Sequence, residues 1–233
     1  MRAAIAIARR DLTGLFLTPF GIGASAGFLA VSGVALVIDL RGNQARLDGW
    51  FAPLFFMVGL LVSLLTMRAF AEEERAGTLE LLLTSPVRPS EIVAGKLLGV
   101  VGASLAIIAG TAVCPWLVST MGNPDGGPII TGYIGLALAM LAFTAVGLAV
   151  SAATGSPLVA AGGTAALLLG TWSLGLLAVS LTGLPRLLCE QIAPGTHVVG
   201  FLRGTLSLGD VAYFLTLAVA GVLVTFAVLR ARR

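Results

Sequence analysis

Apolar residues run along this chain in five long charge-free windows: Leu12 to Ile38, Gly49 to Met67, Leu97 to Pro124, Gly126 to Pro185 and Val211 to Leu229. About 20 apolar residues suffice for a helix to cross the hydrocarbon core of a bilayer. The fourth window is long enough for two crossings, and Thr154-Gly155-Ser156-Pro157 breaks it near the middle with turn chemistry. Six spans follow, near 15–38, 50–70, 97–121, 130–153, 157–181 and 211–229.

The connections carry further elements. Residues 2–14 mix Arg9, Arg10 and Asp11 with Ile5, Ile7 and Leu12, the pattern of a helix lying in the membrane interface. After the second span an acidic run, Glu72-Glu73-Glu74, continues the helix until Gly77 ends it. Thr78 is placed to cap a new helix, and Leu79, Leu82 and Leu83 share one face of it at i, i+3, i+4. Ser85-Pro86 closes this short amphipathic element, which covers about 78–84. Ser90 is the expected N-cap of the helix entering span three, with Glu91 in its first turn.

The outer loops differ among themselves. Asp39 to Asp48 reads as a solvated turn, and Gly122 to Pro128 is dense in turn residues. The segment 182–210 is long yet apolar, with Leu187, Leu188, Ile192, Val198 and Phe201, and suits a re-entrant hairpin shielded by protein. Small residues four apart, at Gly23/Gly27, Gly95/Gly99 and Gly162/Ala166, let helices approach closely. The expected fold is all-α: a single polytopic membrane domain over 1–233. It has six spans, an N-terminal interfacial helix, a short cytoplasmic helix and a re-entrant segment before the last span.

Composition agrees. Of 233 residues, 58% are hydrophobic and 11% charged, against about 25% charged in a soluble domain. Nine of the 25 charged residues crowd into 68–96, and a merely solvated linker has no need of three consecutive leucines, so this segment reads as a docking site for a soluble partner. Ten of the 14 Lys and Arg fall on the side of 68–96 and both termini, which makes that side cytoplasmic. The net charge of +3 marks topology and contacts anionic lipid, with no nucleic-acid partner needed. Arg9-Arg10, an apolar run and Ala24-Ser25-Ala26 imitate a cleavable secretory signal, but the run continues to Ile38 as a span does. Cys114 and Cys189 fall in different regions and are not expected to pair.

Several chemistries find no residues. Gly95-Lys96 lacks the upstream glycine of a phosphate-cradling loop, so any ATP that drives this chain binds a different one. Apart from Arg68 at the edge of the second, the expected spans hold no charged residue, unlike ion-coupled carriers. His197 is the single histidine, which disfavours a metal site. Gly23-Ala24-Ser25-Ala26-Gly27 matches a nucleophile elbow, but Ser25 and His197 are expected at opposite membrane faces. No catalytic, cofactor-binding or metal-ligating residue is expected, and the chain is read as no enzyme.

The stretch from Met67 to Pro86 resembles the signature of type-2 ATP-binding-cassette (ABC) permeases. It is most similar to the six-span branch of the gliding-motility and nitrous-oxide-reductase-maturation permeases. Gly122-Asn123-Pro124, Gly132 to Leu136, Arg203-Gly204 and Asp210 to Phe214 extend the likeness. The resemblance implies an exporter subunit of the bacterial inner membrane with both termini cytoplasmic. It would pair with a second permease, itself or a paralogue, and with two copies of an ABC ATPase subunit that bind the ATP and Mg. Carried over by position, Glu72, Glu73, Arg75, Gly77, Thr78 and Glu80 form the gate-and-coupling stretch, and Leu82 and Leu83 press into the ATPase. Spans without charge suit an amphiphilic or lipid-like cargo, or mechanical signalling without one. The rival readings are an integral membrane enzyme acting on lipid, with the acids at 72–74 as its groups, and a pore or scaffold that needs no ATP.

Overall fold

In the computed structural model, which describes residues 2–41, 47–84 and 87–232, all regular structure is helical. The first helix, α1 (Arg2–Leu17), is followed by α2 (Pro19–Leu40). The chain breaks between them at Thr18, which is extended (φ −86°, ψ 141°) because the residue before a proline is pushed out of the helical region. The Thr18 hydroxyl oxygen accepts from the Gly21 N–H at 3.2 Å and caps α2. The first span therefore starts at 19, and the interfacial helix absorbs the residues from 15 onward that hydropathy had assigned to the span.

Then come α3 (Asp48–Thr66), α4 (Ala71–Arg75), α5 (Thr78–Thr84), α6 (Pro89–Gly110) and α7 (Val113–Met121). The long α8 (Gly126–Ala153), α9 (Pro157–Ala178), the short pair α10 (Leu184–Ile192) and α11 (Pro194–Leu202), and α12 (Leu208–Ala231) complete the chain. Six segments are long and apolar enough to cross a membrane: Pro19–Leu40, Gly49–Arg75, Pro89–Met121, Gly126–Ala153, Pro157–Ala178 and Leu208–Ala231. The chain is an all-α, multi-pass membrane protein. The short helix expected over 78–84 is α5. The expected stop at Ser85-Pro86 and the middle of the first outer loop lie outside the described residues.

The start of α6 differs from the expected cap at Ser90. Pro89 occupies its first turn and Arg88, extended at φ −70°, ψ 140°, is its N-cap; Ser90 sits inside the helix. A proline with fixed φ is pre-organised for the first helical position, so it sets the boundary ahead of the serine. The helix thus begins eight residues before the expected span, and it contains Lys96.

The bundle is built around α8. Of its most apolar window 72% is buried, against 17% for α9 and 22% for α12. Glycines let neighbours touch its backbone: a Cβ on Gly132 would lie 2.8 Å from the Phe51 ring, and one on Gly147 2.3 Å from Thr66 Oγ1. Within the chain the small-residue pairs divide. Around Gly23, Gly27 and Gly162 an added Cβ meets nothing within 4 Å, while Gly95 and Gly99 are closely packed against α1. Spacing marks a smooth face without saying whether a helix covers it.

At one end of α8 the Thr131 hydroxyl donates to Phe201 O of α11 at 2.7 Å, and Tyr213 Oη donates to Ile192 O at 2.6 Å. At the other end Ser151 meets the start of α4. Twenty helical residues separate the two, about 30 Å along the axis.

Candidate functional site

The acids at 72–74 follow the second span within the segment Gly49–Arg75, but not as one unbroken helix, because the chain turns at Met67–Phe70 before α4 begins. The turn exposes backbone donors that the helices cannot satisfy. Ser151 of α8, fully buried, supplies the acceptor: its hydroxyl oxygen takes the N–H of Phe70 at 3.1 Å and of Ala71 at 3.2 Å. The acidic helix is hung from the central helix by one side chain.

Gly77 ends α4 as expected. Its φ of +70° is the left-handed conformation that side chains disfavour, and its N–H donates to Glu74 O at 3.0 Å. Gly77→Ala is therefore expected to destabilise by about 1–2 kcal/mol, read as a lowered thermal midpoint of the purified protein. Thr78 is the first residue of α5 itself, and its hydroxyl donates back to Glu73 O at 3.2 Å.

Leu79 anchors α5. It is buried in an apolar cluster with Phe70, Ile92, Val93, Leu148, Ala152 and Leu229. Glu80 is exposed, and Leu81 projects outward at 71% exposure. The side chains of Leu82 and Leu83 lie outside the described residues.

Each of the three acids is committed to an ion pair. Glu72 pairs with Arg68 at 3.2 Å, and Glu74 with Arg232 near the chain's end. Glu73 takes both Arg10 of α1, at 2.8 Å, and Lys96 of α6, at 3.0 Å. Arg75 stays exposed. The cations of the N-terminal helix, of 68–96 and of the C-terminal helix thus gather at one end of the bundle, as the charge count anticipated.

Lys96 is the residue that hydropathy misjudged. As a cation at a window's edge it read as a topology marker, and the spans, Arg68 apart, were expected to be free of charge. In the folded chain it lies two turns into α6 and only 1% exposed. Its ammonium reaches Glu73 and, at 3.5 Å, Asp11; it donates to Ala69 O and sits 4.9 Å from the centre of the Phe70 ring. Gly95 and Gly99 flank the lysine on the face that α1 covers, which only the folded chain reveals. Partial burial works against the charge of Arg10, but Asp11 and Glu73 outweigh it and hold the guanidinium above its ordinary range. A cavity of about 420 Å³ opens beside this cluster, lined by the charged Arg10, Arg68 and Glu72 and by the apolar Leu15, Leu65 and Val100 among others.

The remaining sequence candidates stay apart from it. His197 Nδ1 lies 2.8 Å from Asp210, its ring stacked on Tyr213 at 4.1 Å. The Ser25 hydroxyl donates to Gly21 O at 2.7 Å. They form no Ser–His pair.

Comparison with known proteins agrees with this architecture. Over 118 residues the chain is 28% identical to the inner membrane transport permease YhhJ of Escherichia coli K12, covering 49% of this chain and 31% of that one. The permease of the same name from Shigella flexneri matches to the same extent. The chain thus spans about a third of the length of these curated relatives. The model of the ABC-2 family transporter proteins matches residues 23–196, more than half the chain and including the turn, α4, α5 and Lys96. The chain belongs to the ABC-2 transporter family.

Proposed function

We propose that this chain is the transmembrane permease subunit of an ABC exporter, one permease domain that meets a separate ATPase through α5. The observation that carries the reading is the construction of α4, Gly77 and α5. A left-handed glycine turns the chain, Leu79 fixes α5 to the bundle, and Glu80 and Leu81 are left pointing out. An exposed leucine on an otherwise charged surface is the kind of group that a partner's pocket desolvates. ATP and Mg belong to the partner. Its closure on ATP would press on α5, and the bundle would open to release an amphiphilic or lipid-like cargo outward or to pass on a mechanical signal. A second permease copy or paralogue completes the assembly. The protein lies in the inner membrane with both termini cytoplasmic.

The ion pairing of Glu72, Glu73 and Glu74 favours this reading over a lipid-modifying enzyme, since each carboxylate is held by a cation. The test is purification of the tagged full chain from native membranes, with ATPases identified by mass spectrometry. An ABC ATPase is expected to be retained, and Leu81→Glu is expected to retain about tenfold less, equal to about 1.4 kcal/mol of contact energy. Equal retention by the variant, with normal membrane insertion, would remove α5 as the docking element.

A further inference from the structure

Lys96 sits where three stretches far apart in the chain meet, and the sequence of α6 prepares the place. A Cβ on Gly95 would lie 2.8 Å from Ala4 O and 2.9 Å from Ile7 Cβ, and one on Gly99 3.0 Å from Ala8 O. One on Gly102 would lie 2.9 Å from Leu12 Cδ1. The helix α1 is thus seated on the backbone of α6. Across that seat Lys96 reaches Asp11 of α1 and Glu73 of α4, and Arg10 closes the ring at 3.0 Å from Asp11 and 2.8 Å from Glu73. Two cations and two carboxylates balance. The cluster is also one step from α5, because the carbonyl of Glu73 accepts the Thr78 hydroxyl.

We propose that Lys96 is a positioning residue of the coupling step, holding α4 and α1 against α6 so that displacement of α5 moves the third span instead of dissipating at Gly77. This rests on the permease reading above. A buried ion cluster is weak evidence of a stability role, since apolar replacement of a whole buried pair is often neutral. What an apolar filling lacks is a directional link: Lys96 binds Glu73, Asp11 and Ala69 O at once, so α6 follows when α4 shifts.

Two variants separate the link from mere charge neutralisation. Lys96→Met leaves two carboxylates against Arg10 alone; Lys96→Met with Glu73→Gln leaves one cation and one carboxylate, balanced but unlinked. The full chain and its retained ATPase are reconstituted in liposomes, and hydrogen exchange across 78–84 and 89–96 is compared without nucleotide and with ATP plus vanadate. In the natural chain both segments are expected to respond. In the double variant thermal stability is expected to return toward the natural value, while the response at 89–96 falls at least about fivefold, the low end of ordinary coupling factors. The response at 78–84 should persist. A full response at 89–96 in either variant overturns the proposal and leaves the permease reading standing. Absence of any ATPase on the natural chain overturns both.

Discussion

Gly221→Val is expected to drive α12 off α8 and lower the thermal midpoint of the detergent-purified protein by about 10 °C. A Cβ at 221 would lie 2.6 Å from Ala145 C, 2.8 Å from its carbonyl oxygen and 2.8 Å from Val146 N. These are backbone atoms of the central helix, so no side chain can swing aside. Phe214, Ala218, Gly221, Thr225 and Leu229 form one buried stripe, and a shift large enough for valine loosens all of it. Overpacking a tight core typically costs 1–3 kcal/mol, and the lost contacts along the stripe bring the total to about 4 kcal/mol. The consequence reaches the site, because Leu229 shares the apolar cluster that buries Leu79, and Arg232 holds Glu74. Gly162→Ala is the control: its Cβ meets nothing within 4 Å, and alanine gains up to about 1 kcal/mol over glycine within a helix. A Gly221→Val protein that melts with the natural chain would show that α12 is not packed on α8 in this way.

Hydropathy made the spans legible because the cost of placing charge in lipid empties the windows of charged residues. The short helix α5 was equally legible, since Gly77 is punctuation that local geometry requires and three leucines need a face to occupy. What stayed hidden depends on partners remote in sequence. Nothing local to Lys96 distinguishes a solvated cation from one that Asp11 and Glu73 bury between them. Ser151 is likewise one of many small polar residues in apolar helices, and its role appears only when the turn at Met67–Phe70 comes beside it. The glycine pairs show the same limit: Gly23/Gly27 and Gly95/Gly99 are alike in sequence, and only the second pair meets α1. Even α1 was legible as a helix but not as one seated on α6.

Ser151→Ala is expected to release α4 from the central helix while leaving the six spans in place. The serine hydroxyl accepts from two amides at once, and Phe70 and Ala71 are themselves fully buried. Alanine removes the acceptor and leaves two donors with no replacement. An unsatisfied buried donor costs about 1–3 kcal/mol; two that share one relaxing turn sum to about 3 kcal/mol. Part of that strain is relieved if the turn unwinds and admits water, and unwinding withdraws Glu73 from Lys96. The expected signature is local: amide exchange at 70–75 accelerates by about two orders of magnitude, as about 3 kcal/mol of lost protection requires, while exchange within α8 and α12 stays slow. Retention of the ATPase should fall too, because α5 follows α4 through Gly77. Unchanged exchange at 70–75 in Ser151→Ala would mean that the acidic helix is held by its ion pairs alone, with Arg68, Lys96 and Arg232 sufficient to fix it against the bundle.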